Sequence, residues 1–198
     1  MKFSVIISAY NRENILPMCL DSLVTQNFPA EDFEIIIVNN NSTDRTEEVV
    51  ESYIKKYPDI NIKYYFVPRP GQVCARQIGI LAAKNEILSF TDDDAILVPD
   101  WLNEIKKVFM INDKVAGVAG KIKIKWDETP PEWIYDYERQ LGRLDYGSEI
   151  KIEPGLYMNA GNLSIKRDIL FEVGGFNPEM VGEWLIGDGG TGLWKKLY

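Results

Sequence analysis

The pattern that decides the fold lies at residues 33–57, FEIIIVNNNSTDRTEEVVESYIKKY. The near-continuous apolar run at Phe33–Val38 is typical of a strand buried on both faces, as in a parallel sheet covered by helices. The apolar residues that follow recur at helical spacing, and Asp44 with Glu47 predicts a capping box at the start of that helix. A buried strand followed by an amphipathic helix is the unit of a doubly wound α/β sheet, so this stretch predicts a mainly parallel sheet flanked by helices.

The same alternation of strands and helices extends in both directions along the chain. Further strands are predicted at Phe3–Ser8, Ile62–Val67 and Glu86–Thr91. Further helices are predicted after an N-cap at Asn11, from about Gln72 to Lys84, and from Pro99 onward. In sheets of this kind ligands bind beyond the carboxyl ends of the strands, so the residues directly after each strand are the first candidates for a site.

The second half of the chain is less regular. The alternating residues Lys121–Lys125 predict a half-exposed strand. A helix is predicted after Pro131, with Trp133 and Tyr137 on one side. These aromatic rings either pack on the core or form an open platform for a ligand, and core packing is favoured. No repeat or linker divides the sequence, so a single domain over residues 1–198 is the economical interpretation.

Composition and charge exclude several classes of function. The chain has 198 residues, a net charge of −8 and no histidine. A protein that binds nucleic acid needs a basic face, so such a partner is disfavoured, and histidine-based zinc sites and Ser-His-Asp triads are ruled out. Acid–base chemistry therefore falls to carboxylates, with Lys or Tyr as the less favoured alternative. Two cysteines are too few for a disulfide framework, and no apolar run has the roughly 18 residues of a membrane span, which favours the cytoplasm.

Polar clusters follow three of the predicted strands, at Ser8–Glu13, Asn39–Asp44 and Thr91–Asp94. Because parallel strands end at the same edge of a sheet, the clusters predict a ligand crevice there. The carboxylates of Asp92–Asp94 repel one another, and a hard divalent cation such as Mg²⁺ or Mn²⁺ compensates that repulsion. The alternative is a solvated acidic turn, but a position between a buried strand and a helix favours metal. Arg76, near the start of the third helix, lies where a diphosphate is within reach.

Six segments of the sequence resemble the motifs of glycosyltransferase family 2, and they occur in that family's order over almost the whole chain. The first is similar to the family's SVIIPTYNR and the second to its EIIVVDNNSTDGT. The fourth contains the DXD block. The six segments are Ser4–Arg12, Glu34–Thr46, Ala75–Ile87, Phe90–Leu102, Asn159–Arg167 and Val173–Asn177.

The resemblance implies a GT-A fold and inverting transfer of a sugar from a nucleotide-sugar to a glycan or lipid-linked acceptor. It also implies a Mn²⁺ or Mg²⁺ cofactor and favours UDP as the nucleotide. Residues 1–100 would then form the nucleotide-binding half and residues 101–198 the acceptor-side half. The resemblance assigns nucleotide contacts to Ala9, Tyr10, Arg12, Asn39, Arg76, Asp92 and Asp93, and metal binding to Asp94. With such acceptors, the protein would act in the cytoplasm or peripherally at a membrane.

Two positions depart from the family pattern. Asn39 stands where the family has an aspartate. The asparagine carbonyl can still accept from the ring N–H of uracil, and its NH₂ group can donate to a ring carbonyl. The family's catalytic base lies in a Gly-Glu-Asp element, where this chain has Gly187-Asp188-Gly189. We therefore interpret Asp188 as the base, with Glu183 as the second choice and an inert glycine-rich turn as the alternative. The chain ends soon after this element, which indicates either a truncated or a minimal domain.

Other functions are compatible with parts of this pattern. A nucleotide-sugar-binding protein without transfer activity is the main alternative, because of Asn39 and the altered Gly-Glu-Asp element. A sugar-1-phosphate nucleotidyltransferase would carry a glycine-rich loop after its first strand, and an NAD-dependent oxidoreductase would carry GxGxxG there. Both are disfavoured, because Ser8-Ala-Tyr-Asn-Arg12 occupies that position.

Overall fold

The computed structural model of this chain describes residues 1–151 and 158–176. The strands are β1 (Phe3–Ala9), β2 (Phe33–Asn39), β3 (Asn61–Phe66), β4 (Ile87–Asp92), β5 (Gly117–Ala119) and β6 (Asn162–Lys166). The α-helices are α1 (Leu16–Val24), α2 (Thr46–Lys56), α3 (Gln72–Ala82), α4 (Trp101–Ile111) and α5 (Arg167–Glu172). Short 3₁₀ helices lie at Ala30–Asp32 and Glu132–Tyr137.

In this part of the chain the strands form one six-stranded sheet, in the order β3-β2-β1-β4-β6-β5. β1 pairs in parallel with β2 and β4, and β2 pairs in parallel with β3. β6 runs antiparallel to both β4 and β5. The predicted α/β architecture, a mainly parallel sheet flanked by helices, is therefore confirmed.

Helices cover both faces of the sheet, which explains why the central strands are apolar throughout. Phe3, Val5 and Ile7 of β1 pack with apolar residues of α1, α2 and α4 on one face. Ile6 between them packs on the other face, with residues of α3 and α5. α3 lies so close to this face that a Cβ at Gly79 would overlap the Ile6 side chain, so glycine is what permits the contact. The apolar runs thus report burial on two faces rather than one.

The strand register brings the polar clusters together. Ala9 at the end of β1 lies opposite Asn39 at the end of β2. Ser8 lies opposite Asp92 at the end of β4. Because β1 is the central strand of the three, the loops after β1, β2 and β4 meet at one edge of the sheet. This is the edge at which the sequence predicts a ligand crevice.

The start of α1 differs from the prediction. Asn11 is not an N-cap: its φ is +53°, and the helix begins at Leu16. The N–H groups of Ile15 and Leu16 donate to the carbonyl oxygen of Arg12, so the chain makes an extra turn before the helix. The Asn11 side chain instead accepts a hydrogen bond from the Thr43 N–H at 2.8 Å. A long-range contact has therefore replaced the local cap.

Two other helix starts also differ from the prediction. The N-cap position of α2 is Arg45, whose side chain makes no capping hydrogen bond, so the predicted capping box is wrong. Asp44 accepts from the Thr46 N–H at 3.0 Å instead. α4 begins at Trp101, two residues after Pro99, with Asp100 in the N-cap position.

The second half contains less regular structure than the sequence predicts. Of the predicted strand at Lys121–Lys125, the structure contains a single bridge between Ile122 and Leu144. The segment after Pro131 forms a 3₁₀ helix, and its Trp133 and Tyr137 rings are 63% and 53% exposed. The prediction of core packing is wrong here, because the sheet faces are already covered by α-helices. No helix in residues 1–151 or 158–176 is long and apolar enough to cross a bilayer.

Candidate functional site

A cavity of about 260 Å³ opens at the edge where β1, β2 and β4 end. The end of β1 and its loop contribute to the lining, as do the residue after β2 and the first residue of α3. The acidic residues at the end of β4 and directly after it complete the lining. The lining residues are Ser8, Ala9, Tyr10, Arg12, Asn40, Gln72, Asp92, Asp93 and Asp94. Most of the site residues predicted from the sequence therefore lie together in one cavity.

The polar residues after β2 fasten the loop after β1 in place. The N–H groups of Arg12 and Glu13 donate to the side chains of Thr46 and Asp44, at 2.9 and 3.0 Å. Burial raises the pKa of Asp44, but the hydrogen bonds from Thr46 and Glu13 lower it by more than burial raises it. The pKa of Asp44 therefore lies below its ordinary value. Asp44 therefore remains an anion that accepts from two backbone segments. Its function is to shape the rim of the cavity.

Each of the three consecutive aspartates has a different environment. The Asp92 carboxylate pairs with the Arg76 guanidinium at 3.1 Å, and Arg76 is 5% exposed. The Asp93 carboxylate is buried and pairs with Arg12, also at 3.1 Å. The Asp94 side chain is exposed and has no hydrogen bond or ion pair with any residue that the structure describes. Asp94 is thus the carboxylate that is free to bind a ligand.

The cluster formed by Asp92–Asp94, Arg12 and Arg76 carries an excess of negative charge. Burial raises the pKa of Asp93 to about 6, and the Asp94 charge adds to this while Arg12 opposes it. Burial also raises the pKa of Asp92, opposed by Arg76. Three carboxylates therefore face two guanidinium groups, so the cavity favours a bound cation.

A loop from the second half reaches the same cluster. Gly161, just before β6, lies so close to Asp92 that a Cβ there would stand 2.5 Å from the Asp92 Oδ2. The Gly161 N–H donates to the Asn159 Oδ1 at 2.7 Å, which fixes this close approach. No function is predicted for Gly161 from the sequence. The signal was present in the Asn159–Arg167 motif, but only the fold shows which strand end that motif approaches.

Asn39 lies at the edge of the cavity but is not among the residues that line it. Its side chain is 2% exposed and is used within the protein. The Asn39 Oδ1 accepts from the Ser42 N–H, and the Asn39 Nδ2 donates to the Tyr64 hydroxyl, both at 2.9 Å. A contact between Asn39 and a base remains a prediction. Asn40 and Gln72 line the cavity, but no contact was assigned to either from the sequence. Asn40 lies in the predicted polar cluster beside the assigned Asn39, whereas Gln72 lies outside the six motif segments.

Asp188 and Glu183 lie outside the described residues. In the described part of the chain, no three Cys, Asp or Glu side chains converge on a point that would hold a metal ion by themselves. Cys19 is fully buried, and this burial together with the charges of Asp92–Asp94 raises the pKa of its thiol.

A second, larger cavity of about 600 Å³ lies beside the 3₁₀ helix in the second half. Tyr135 and Tyr146 provide its aromatic surface. Arg143 also lines it and pairs with Glu138 at 2.5 Å. This cavity lies in the half that the resemblance assigns to an acceptor.

Comparison with known proteins places these features in a family. The family model described as glycosyl transferase family 2 matches residues 4–177. A poly(ribitol-phosphate) beta-glucosyltransferase of Bacillus spizizenii is 40% identical over 140 residues, which cover 67% of this chain and 22% of that protein. The chain thus spans about a fifth of the length of this curated relative.

Solved structures show the same fold. S. aureus TarS 1–349 in complex with UDP matches with a TM-score of 0.76 and 21% identity, covering 99% of this chain and 55% of that one. The mannosyltransferase PcManGT from Pyrobaculum calidifontis, in complex with GDP-Man and Mn²⁺, matches with a TM-score of 0.70 and 22% identity, covering 89% and 47%. The family model matches most of the residues of this chain, and the neighbours share its GT-A fold. This chain therefore belongs to glycosyltransferase family 2.

Proposed function

We propose that this chain forms the donor-binding and catalytic region of a glycosyltransferase that moves a sugar from a nucleotide diphosphate sugar to an acceptor hydroxyl. The observation that carries the proposal is the cavity at the ends of β1, β2 and β4, where Asp92 and Asp93 are paired with arginines and Asp94 is free. A cavity with carboxylates for a cation and guanidinium groups nearby suits a diphosphate. In this proposal residues 1–100 bind the donor and residues 101–198 face the acceptor.

The donor we propose is a UDP-sugar. The TarS neighbour was solved with UDP, and PcManGT with GDP-Man, so both uracil and guanine nucleotides occur within this fold. The curated relative at 40% identity and TarS are both named as enzymes that glycosylate poly(ribitol-phosphate). Because TarS was solved with UDP, UDP is the favoured nucleotide. We propose an acceptor of the same chemical class, a hydroxyl of a polyol phosphate or a glycan.

A divalent cation, Mn²⁺ or Mg²⁺, fits the residues that are present. Carboxylate oxygens are the ligands that such hard cations prefer, and Mg²⁺ is commonly bound by one or two carboxylates together with substrate phosphates. The free carboxylate of Asp94 would provide one ligand, and the phosphates of the donor would provide others. When bound, the cation would stabilise negative charge on the departing diphosphate.

The chain's own residues have separate tasks in this proposal. Arg76 and Arg12 are fixed by Asp92 and Asp93, and they orient the two carboxylates around the donor. Ala9 and Tyr10 form the wall beside the nucleotide. A carboxylate from the C-terminal element, Asp188 or else Glu183, would take the proton from the acceptor hydroxyl, and a single displacement would invert the anomeric carbon.

The metal dependence is tested by titrating UDP into the protein by calorimetry, with Mn²⁺ and with EDTA. We expect Asp94→Asn to lose at least about 10-fold in affinity with Mn²⁺ and to match the wild type in EDTA, because the variant removes one charged ligand. Asp59→Asn is the matched control, since it makes the same charge change at an exposed position far along the chain from the acidic cluster. Equal UDP affinity of the wild type in Mn²⁺ and in EDTA would refute the metal role.

Transfer itself needs a second measurement. Release of UDP from a UDP-sugar, followed with and without polyol phosphates or glycans, separates a transferase from a protein that only binds the donor. Acceptor-dependent release supports the proposal. Donor binding without any release would favour the alternative of a nucleotide-sugar-binding protein.

A further inference from the structure

Two adjacent asparagines follow β2, and their side chains are used differently. The Asn39 amide donates to Tyr64 and accepts from Ser42, so both of its polar atoms are occupied. The Asn40 amide forms no hydrogen bond with any described residue. Yet Asn40 is only 8% exposed and lines the cavity.

An unpaired amide in this position is unusual. Buried polar side chains in folded proteins are nearly always hydrogen-bonded, and each exception calls for a physical explanation. The Asn40 Oδ1 is completely buried without a partner, which is unfavourable in the free protein. Among the described residues, the Asn40 Oδ1 therefore remains an unused acceptor beside the cavity.

The backbone holds Asn40 firmly at this point. Its N–H donates to the Ala9 carbonyl at 2.8 Å, which continues the β1–β2 ladder by one residue. The side chain therefore starts from a fixed position between two strand ends. An amide that rotates by half a turn offers either its carbonyl oxygen or its NH₂ group to a ligand, so it can match a neighbouring donor and acceptor.

We propose that Asn40 hydrogen-bonds the nucleoside of the donor, and that Asn39 is a positioning residue that holds the loop from which Asn40 extends. This inference rests on the proposed function and concerns the same cavity. It differs from the assignment that the family resemblance gives, in which Asn39 contacts the base. The ligand chemistry is that of a base or ribose edge with a hydrogen-bond donor or acceptor directed at the end of β2.

The two asparagines are distinguished by two readouts, affinity and stability. We expect Asn40→Ala to weaken UDP and UMP binding about 3- to 10-fold, the loss of one neutral hydrogen bond, and to leave binding of pyrophosphate with Mn²⁺ unchanged. Its melting temperature without ligand should stay within about 1 °C of the wild type or rise, since the amide has no partner to lose. Asn39→Ala should instead lower the melting temperature by about 2–8 °C, because two hydrogen bonds are lost.

Each outcome decides the question. Equal UDP affinity for Asn40→Ala and wild type would overturn the inference, and so would a clear fall in the melting temperature of Asn40→Ala or its failure to fold. Lower UDP affinity of Asn39→Ala at an unchanged melting temperature would return the nucleoside contact to Asn39. If the wild type binds none of UDP, GDP or CDP, the proposed function fails before the variants are compared.

Discussion

Replacing Glu34 by glutamine should destabilise the protein strongly. Glu34 stands near the start of β2 and is 1% exposed. Its carboxylate accepts hydrogen bonds from the Ser4 hydroxyl and the Lys63 ammonium, both at 2.5 Å, and from the Lys84 N–H at 2.9 Å. The side chain thus joins β1, β2, β3 and the residues after α3 at the end of the sheet opposite the cavity.

The magnitude follows from what the substitution removes. Glutamine retains one acceptor oxygen and loses the charge that Lys63 requires. Hydrogen bonds to charged groups contribute about 1.5–3 kcal/mol, and breaking a buried ion pair costs about 3–5 kcal/mol. The Lys63 side chain is 21% exposed, so water recovers part of that loss. We expect a loss of about 2–4 kcal/mol in the free energy of unfolding, or about 4–16 °C in melting temperature for a chain of this size.

The effect should depend on pH. Burial raises the pKa of Glu34, but the bonds from Lys63, Ser4 and Lys84 together bring it below its ordinary value of 4.5. A lowered folded-state pKa means that the stabilisation is complete above the unfolded-state pKa and is lost as the pH falls through the folded-state value. The difference between the wild type and Glu34→Gln should therefore be constant above about pH 6 and shrink toward pH 3.

Urea unfolding followed by circular dichroism measures both quantities. Glu31→Gln, an exposed carboxylate three residues away, is the matched control and should change stability by less than about 0.5 kcal/mol. Lys63→Met combined with Glu34→Gln should lose less than the sum of the two single changes, because the pair is coupled. A loss below about 1 kcal/mol for Glu34→Gln at pH 7, or a loss that does not vary with pH, would refute the reasoning.

Two further predictions concern the site. Gly161→Ala places a methyl group against the Asp92 Oδ2, so the Asp92 carboxylate must turn away from Arg76. We expect calorimetry with Mn²⁺ to show that the variant binds UDP about 10-fold more weakly than the wild type. Unchanged affinity would contradict this packing. Asp188→Asn should lower turnover at least about 100-fold while donor affinity stays constant, because only transition-state stabilisation is lost. Normal transfer by Asp188→Asn with loss in Glu183→Gln would move the base to Glu183.

The sequence by itself determined most of the strands and helices of residues 1–100. β1 and β2 each extend one residue beyond the strands predicted for them, and β4 is displaced by one residue at both ends. This success has a local cause: strands buried on both faces are apolar throughout, and the polar residues that end them are visible in the chain. The acidic triplet and the loop after β1 could be named as site residues for the same reason.

What the tertiary structure decided is how those residues are paired. Arg12 meets Asp93, 81 positions away, because β1 and β4 lie side by side. Asn11 binds the next loop instead of capping α1, and the exposed Trp133 finds no apolar surface on a sheet already covered. Asn39 and Asn40 are chemically identical neighbours, yet one is occupied and the other is unpaired beside the cavity. Periodicity and composition report the burial of an element, whereas partners depend on which strands are adjacent, and that depends on contacts across the whole chain.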